Sequence, residues 1–182
     1  MKITSDIFEA YLKCPTKCWL RRAGVSLSNT YAEWLKSQND SYRATETQRL
    51  VAQSPNFKTA FSPSIGNLQA AEWLVASSVT VQAQTDCCGV ESELHAIEHV
   101  PSTGDSNRAE FIPIRFIFTN KLGKDEKLLL AFDAFVLSES QGREVRSGKI
   151  IHGDVSCTLR VSVSALASDV RKRVPRNRRA FG

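Results

Sequence analysis

The stretch Phe111-Ile112-Pro113-Ile114-Arg115-Phe116-Ile117-Phe118 decides the fold. Successive side chains of a strand point to opposite faces. Here Ile112, Ile114, Phe116 and Phe118 make one face apolar, while Phe111, Pro113 and Ile117 make the other apolar too. A strand apolar on both faces belongs in the interior of a sheet that is covered on both sides. Pro113 has no backbone donor, so its own position is expected near an edge or a bulge.

Working outward, Val79 to Thr85 alternates with period two, and Val90 to Val100 places Leu94, Ala96, Ile97 and Val100 in strand-like order. Pro101 to Asn107 is rich in turn residues, so residues 88–100 and 110–119 read as a hairpin with a long loop. Downstream, Asp125 to Ser138 contains Leu128, Leu129, Ala131, Phe132, Phe135 and Val136, a mostly apolar helix expected to pack on the sheet. Lys149 to Gly153 and Thr158 to Val163 follow as strands, and Ala165 to Val174 as a helix ended by Pro175.

Upstream, Ser5 is placed to cap a helix carrying Ile7, Phe8, Tyr11 and Leu12, which stops at Pro15. Thr16 caps a second turn closed by Gly24. Asn29 starts a segment from Tyr31 to about Gln53 whose polar middle, Gln38 to Ser41, is a possible interruption, and Leu68, Ala71, Trp73, Leu74 and Val75 suggest another helix. Helices, a run of strands, a helix and more strands place the chain in the α/β class, with α+β compatible: a central mixed sheet with flanking helices. One domain over residues 1–174 is expected, followed by a disordered basic tail, 175–182.

The chain has 182 residues and a formal net charge of +5. Residues 171–182 hold six cations and no acid, which leaves 18 basic and 19 acidic residues in the remainder. The basic character therefore belongs to the tail and says little about a nucleic-acid surface on the body. The polar N-terminus and the lack of any long apolar stretch lead to the expectation of a soluble, cytoplasmic protein with no membrane contact. Cys14, Cys18, Cys87, Cys88 and Cys157 are odd in number, so thiols or metal ligands are favoured over disulfides.

The opening Ser5-Asp6-Ile7-Phe8-Glu9-Ala10-Tyr11-Leu12-Lys13-Cys14-Pro15-Thr16-Lys17-Cys18-Trp19-Leu20 resembles the RecB-like nucleases of the PD-(D/E)XK superfamily, related to the CRISPR-associated exonucleases. Lys121 to Phe135 and Gly148 to Asp154 are similar to that family as well. The resemblance implies a nuclease-like sheet, DNA as partner, and metal-dependent phosphodiester hydrolysis. In it an Asp and a Glu-x-Lys on neighbouring strands hold magnesium or manganese through hard oxygens and orient the attacking water. The corresponding positions here are His95 for the Asp, Arg115 for the Glu and Ile117 for the Lys. The family's chemistry is thereby replaced at all three. Arginine suits a phosphate better than a cation, so a catalytically inactive module that binds nucleic acid or a partner is the alternative reading.

Glu91 and Glu93 share a strand face with His95 and sketch a shifted manganese site, against the commoner reading of glutamates as solvated charges. His99 and His152 read as surface or strand-end residues. The resemblance also implies a 4Fe–4S cluster held by one N-terminal and three C-terminal cysteines. Cys14 matches the first and no cysteine follows the last helix, so the chain reads as an N-terminal fragment of a longer protein. Cys14 and Cys18 then read as buried small hydrophobes. Arg171, Lys172, Arg173 and Arg176 are the candidate phosphate contacts.

Overall fold

The structure is a computed structural model that describes residues 2–25, 30–53, 58–63, 72–101 and 109–179. Among the described residues, seven strands form one mixed sheet: β1 (Lys2–Thr4), β2 (Thr59–Phe61), β3 (Val75–Gln84), β4 (Gly89–Val100), β5 (Glu110–Ile117), β6 (Ser147–His152) and β7 (Cys157–Ser162). They run in the order β2-β3-β4-β5-β6-β7, with β1 on β4. The β3/β4, β4/β5 and β6/β7 pairs are antiparallel, and β2/β3, β5/β6 and β1/β4 are parallel. The helices are α1 (Ser5–Lys13), α2 (Pro15–Arg22), α3 (Thr30–Ala52), α4 (Lys124–Gln141) and α5 (Ser164–Arg179).

β5 lies inside the sheet, as its two apolar faces require. Pairing with β6 begins only at Ile114, so at Pro113 one edge of β5 is free of a partner, which is where a residue without an N–H is tolerated. One face of the sheet carries α4, whose residues from Leu128 to Leu137 are all buried. The helix is bounded by Glu126 accepting the Gly123 N–H at 2.8 Å and by Gly142 in the left-handed region at φ 61°. Such a helix needs cover on its outer side too. α1 supplies part of it through Phe8, stacked on Phe132 with ring centroids 4.5 Å apart, and α5 adds Val170 and Val174 to the same core. The other face carries α3, against a small cluster of Ala96, Ile114, Phe116 and Ile151 with Tyr42 and Leu50 packed on it.

Several expectations are corrected. The cap of α1 is Thr4, whose hydroxyl accepts the Ile7 N–H at 3.3 Å; Ser5 turns instead to Ser92. α2 starts two residues earlier than expected, capped at Cys14 with Pro15 at its first position, where a missing N–H costs nothing. α3 continues through Gln38 to Ser41 without a break. Val75 begins a strand, and residues 64–71 of the helix expected there lie outside the described residues, as do residues 102–107 of the hairpin loop. α5 runs on through Pro175 to Arg179, where a disordered tail was expected. Proline removes one donor and crowds the preceding turn without preventing helix on both sides of it.

The β3/β4 ladder holds a feature that positions the rest. Its register is constant from Val75↔Glu98 to Gln84↔Gly89. Val79, Val81, Val90 and Leu94 face the α4 core, and so do Ala76 and Ile97, whereas Ala96 faces α3. The alternation therefore shifts by one residue in both strands at Ser78 and His95, and Ser78 sits there at φ 53°.

Candidate functional site

β3 occupies one edge of β4 along Gly89 to Glu98. The opposite edge is divided: β1 pairs with Gly89 to Glu91 and β5 with Ala96 to Val100. Between them, Ser92 to His95 meets neither strand, and side chains fill the fork. On the α3 side, His95 Nδ1 accepts the Phe116 N–H at 3.0 Å, replacing a ladder bond with a side-chain bond. On the α4 side, Ser92 Oγ donates to Asp133 Oδ1 at 2.5 Å and meets Ser5 Oγ at 3.0 Å.

Arg115 completes the α4 side. Its Nε donates to Asp133 Oδ2 and its Nη2 to Asp133 Oδ1, both at 2.7 Å, a bidentate pair with both residues buried. Burial by itself pulls the guanidinium down, but the Asp133 carboxylate more than reverses this and holds Arg115 above its ordinary value. Glu9 on α1 stands in the same field. Burial raises its carboxyl, and Lys13, with Arg115 and Arg21 beyond, brings it below the usual value. His95 is driven well below the ordinary histidine range, first by burial and then by the charges of Arg115 and Arg43. Its imidazole is thus neutral, with Nδ1 as the acceptor that the Phe116 N–H requires.

The three positions equivalent to the nuclease Asp, Glu and Lys do not meet at one point. His95 lies with Phe116 on the α3 face, ring centroids 5.9 Å apart. Arg115 turns to Asp133 and Ile117 packs on the core of the α4 face. Arg115 is also not presented to a phosphate, because its guanidinium is buried and directs two of its N–H donors to Asp133 inside the protein. Of the glutamates, Glu93 pairs with Arg43 at 2.6 Å, and Glu91 with Lys2 and, at 2.6 Å, with Gln82 Nε2. No group of three His, Cys, Asp or Glu side chains suited to a metal ion occurs among the described residues. These donors therefore do not fit magnesium, manganese or a 4Fe–4S cluster.

Cys14 is exposed at the N-terminus of α2, in contrast to the buried position expected of it, and the backbone amides of Lys17 and Thr16 lower its thiol pKa. Cys18 is buried in the core. His99 is buried, stacked on Phe111 with centroids 4.9 Å apart and with Nδ1 3.0 Å from the Trp73 carbonyl, so it is an interior residue and not a surface one. His152 closes β6, and its Nδ1 is buried with no hydrogen-bond partner among the described residues.

A groove of about 770 Å³ runs between α4 and α5. Its floor is apolar, and Arg143, Arg171 and Lys172 line it beside Glu139 and Glu144. Glu144 is held by Arg146, whereas Arg173 turns to Asp169. Of Arg176, only the backbone is described. Asp133, Ser92 and Arg143 were not singled out from the sequence. For Asp133 the signal is present: one acid within Ala131-Phe132-Asp133-Ala134-Phe135 needs a buried cation.

No family model matches the chain, and no curated protein matches it. Among solved structures, the chain is similar to one described as the crystal structure of SSO0001, at 14% identity and a TM-score of 0.44, over 94% of this chain and 76% of that one.

Proposed function

We propose that the chain is a RecB-like, PD-(D/E)XK-type nuclease domain that binds DNA and does not cut it. The observation that carries this reading is the bidentate Arg115–Asp133 pair, buried where the resemblance expects a metal-binding acid. A guanidinium there repels a divalent cation, and the Asp133 carboxylate is already paired with it. The family part of the reading rests on the Cys14-Pro15-Thr16-Lys17 opening and on the strand–helix–strand order.

Binding falls to cations that have no structural duty. Arg143, Arg171 and Lys172 form no ion pair among the described residues and share one groove. Their contribution is to the phosphate backbone, hence independent of sequence and sensitive to salt.

The test combines labelled single- and double-stranded DNA with the protein in magnesium or manganese. The expected outcome is intact DNA, with binding at low salt that weakens as salt rises. Replacing Arg143, Arg171 and Lys172 together by Ala is expected to flatten the slope of log K against log salt by about 0.7–0.9 per lost contact. Manganese-dependent cleavage lost in Glu91→Gln or Glu93→Gln would overturn the inactive reading, and absence of binding at low salt would overturn the DNA reading.

A further inference from the structure

Cys87 and Cys88 are consecutive residues in the turn between β3 and β4, and their Sγ atoms lie 3.5 Å apart. Neighbouring side chains of an extended chain point to opposite sides, so the turn itself brings the two sulfurs together. Thr85 fixes that turn. Its N–H donates to the Cys88 carbonyl at 3.0 Å, its hydroxyl donates to the same carbonyl at 2.8 Å, and its Oγ1 accepts the Cys88 N–H at 3.3 Å. Thr85 Oγ1 also lies 3.3 Å from Cys87 Sγ and 3.8 Å from Cys88 Sγ. Cys88 is buried against the core, while Cys87 is half-buried and gives access from solvent.

Two chemistries compete for such a pair, and geometry separates them. A disulfide needs the sulfurs at about 2.05 Å and, ordinarily, Cα atoms at least about 4.4 Å apart. Consecutive Cα atoms are only about 3.8 Å apart, so this bond would be strained. A soft centre about 2.3 Å from each sulfur at a tetrahedral angle needs them roughly 3.8 Å apart. The observed separation is close to that bite. A closed zinc site needs further protein donors, and none gathers there among the described residues. The centre that fits is one with two valences to fill.

We propose that Cys87 and Cys88 form a two-thiol chelating site for soft thiophilic centres of the trivalent arsenical class, in which arsenic already carries one carbon substituent. In the reaction of an organoarsenic oxide, the arsenic–oxygen bonding is lost and two arsenic–sulfur bonds form. The oxygen leaves as water with both thiol protons. Arsenic stays trivalent, no electron is transferred and no co-reactant is consumed. Burial, and then Cys87 beside it, push the Cys88 thiol up; this slows attack by the thiolate without weakening the product, because the net reaction consumes both thiols with their protons.

The probe is phenylarsine oxide added to the reduced protein, followed by intact mass. One phenylarsenic group per chain is expected, retained against excess 2-mercaptoethanol and removed by 2,3-dimercaptopropanol. Cys87→Ser is expected to weaken uptake by about 10²–10⁴-fold, the gain that two-point attachment gives, while Cys14→Ser and Cys157→Ser bind as the parent does. Cys87 is half-buried, so its Ser variant leaves Cys88 in the core, and circular dichroism checks that it folds. Uptake undiminished in Cys87→Ser and lost in Cys14→Ser would move the site to Cys14 and Cys18 and overturn the proposal. Release by the monothiol, or no uptake by the parent, would overturn it as well.

Discussion

The two faces of the sheet are covered by helices of similar length held in different ways. α4 is buried from Leu128 to Leu137, and its contact with the sheet is largely apolar. α3 has 23 residues, yet Glu46 is the one residue described as buried within it. What fastens α3 is polar: Tyr42 donates to the Gly153 carbonyl at 3.0 Å, Asn39 accepts the Phe118 N–H at 3.5 Å, Arg43 reaches Glu93, and Glu46 takes the Ser156 hydroxyl at 2.6 Å. Apolar burial scales with area, whereas each net hydrogen bond contributes about 0.5–1.5 kcal/mol. The α4 face is therefore expected to unfold with the whole domain, and α3 to open first.

The exception on the α4 face is also its weakest point. Asp133→Ala leaves the Arg115 guanidinium buried and uncompensated, and is expected to cost about 3–5 kcal/mol in denaturant unfolding. Replacing both partners by apolar residues, Arg115→Met with Asp133→Leu, is expected to recover much of that loss. If the double variant were as unstable as the two single losses added together, the pair would not be the coupled unit that the geometry indicates.

Next in size is Gly148→Ala. A Cβ at Gly148 would stand 2.9 Å from Leu130 Cδ2, with Leu130 fully buried. Overpacking of this kind is expected to lower stability by about 1–3 kcal/mol, read as a shift in the denaturation midpoint. An unchanged midpoint would show that the α4 core has room to give.

On the α3 face, His95 makes stability depend on pH. Its folded pKa lies below that of the unfolded chain, about 6.5. Above that pH both states are neutral and the Phe116 bond is intact. As pH falls through it, the unfolded state takes a proton that the folded state refuses, so stability declines by at most about 1.4 kcal/mol per pH unit for this group. His95→Gln is expected to flatten that slope, as measured by unfolding at pH 7.5 and 5.5; an unchanged slope would place the titration elsewhere.

The smallest effect is expected at Tyr42→Phe. It removes one hydrogen bond to the Gly153 carbonyl, costs about 0.5–1.5 kcal/mol, and raises amide exchange in α3 while leaving α4 unchanged. Equal changes in both helices would remove the distinction between the faces.

Much of this architecture was legible because long elements carry a period. β4, β5, β7 and α4 announce themselves through alternation or through a run of apolar residues. β1 and β2 have three residues each, too few for any period to show. The shift of alternation at Ser78 and His95 leaves the register untouched, so no insertion marks it. The site was half legible. Arg115 stood out as the one charge within the apolar run from Phe111 to Ile117, but its partner Asp133 is 18 residues away on another element, and neither charge specifies the pairing alone. The groove between α4 and α5 depends on Arg143 meeting Arg171 and Lys172, which only the packing of the two helices brings about.

The central claim is that the buried Arg115–Asp133 ion pair stands in the fork of the sheet where the proposed family would carry a metal-binding acid. Calorimetric titration of manganese into the protein tests it most directly. The expected result is no saturable binding near one ion per chain. Stoichiometric binding that disappears in Asp133→Asn or in Glu91→Gln would contradict it.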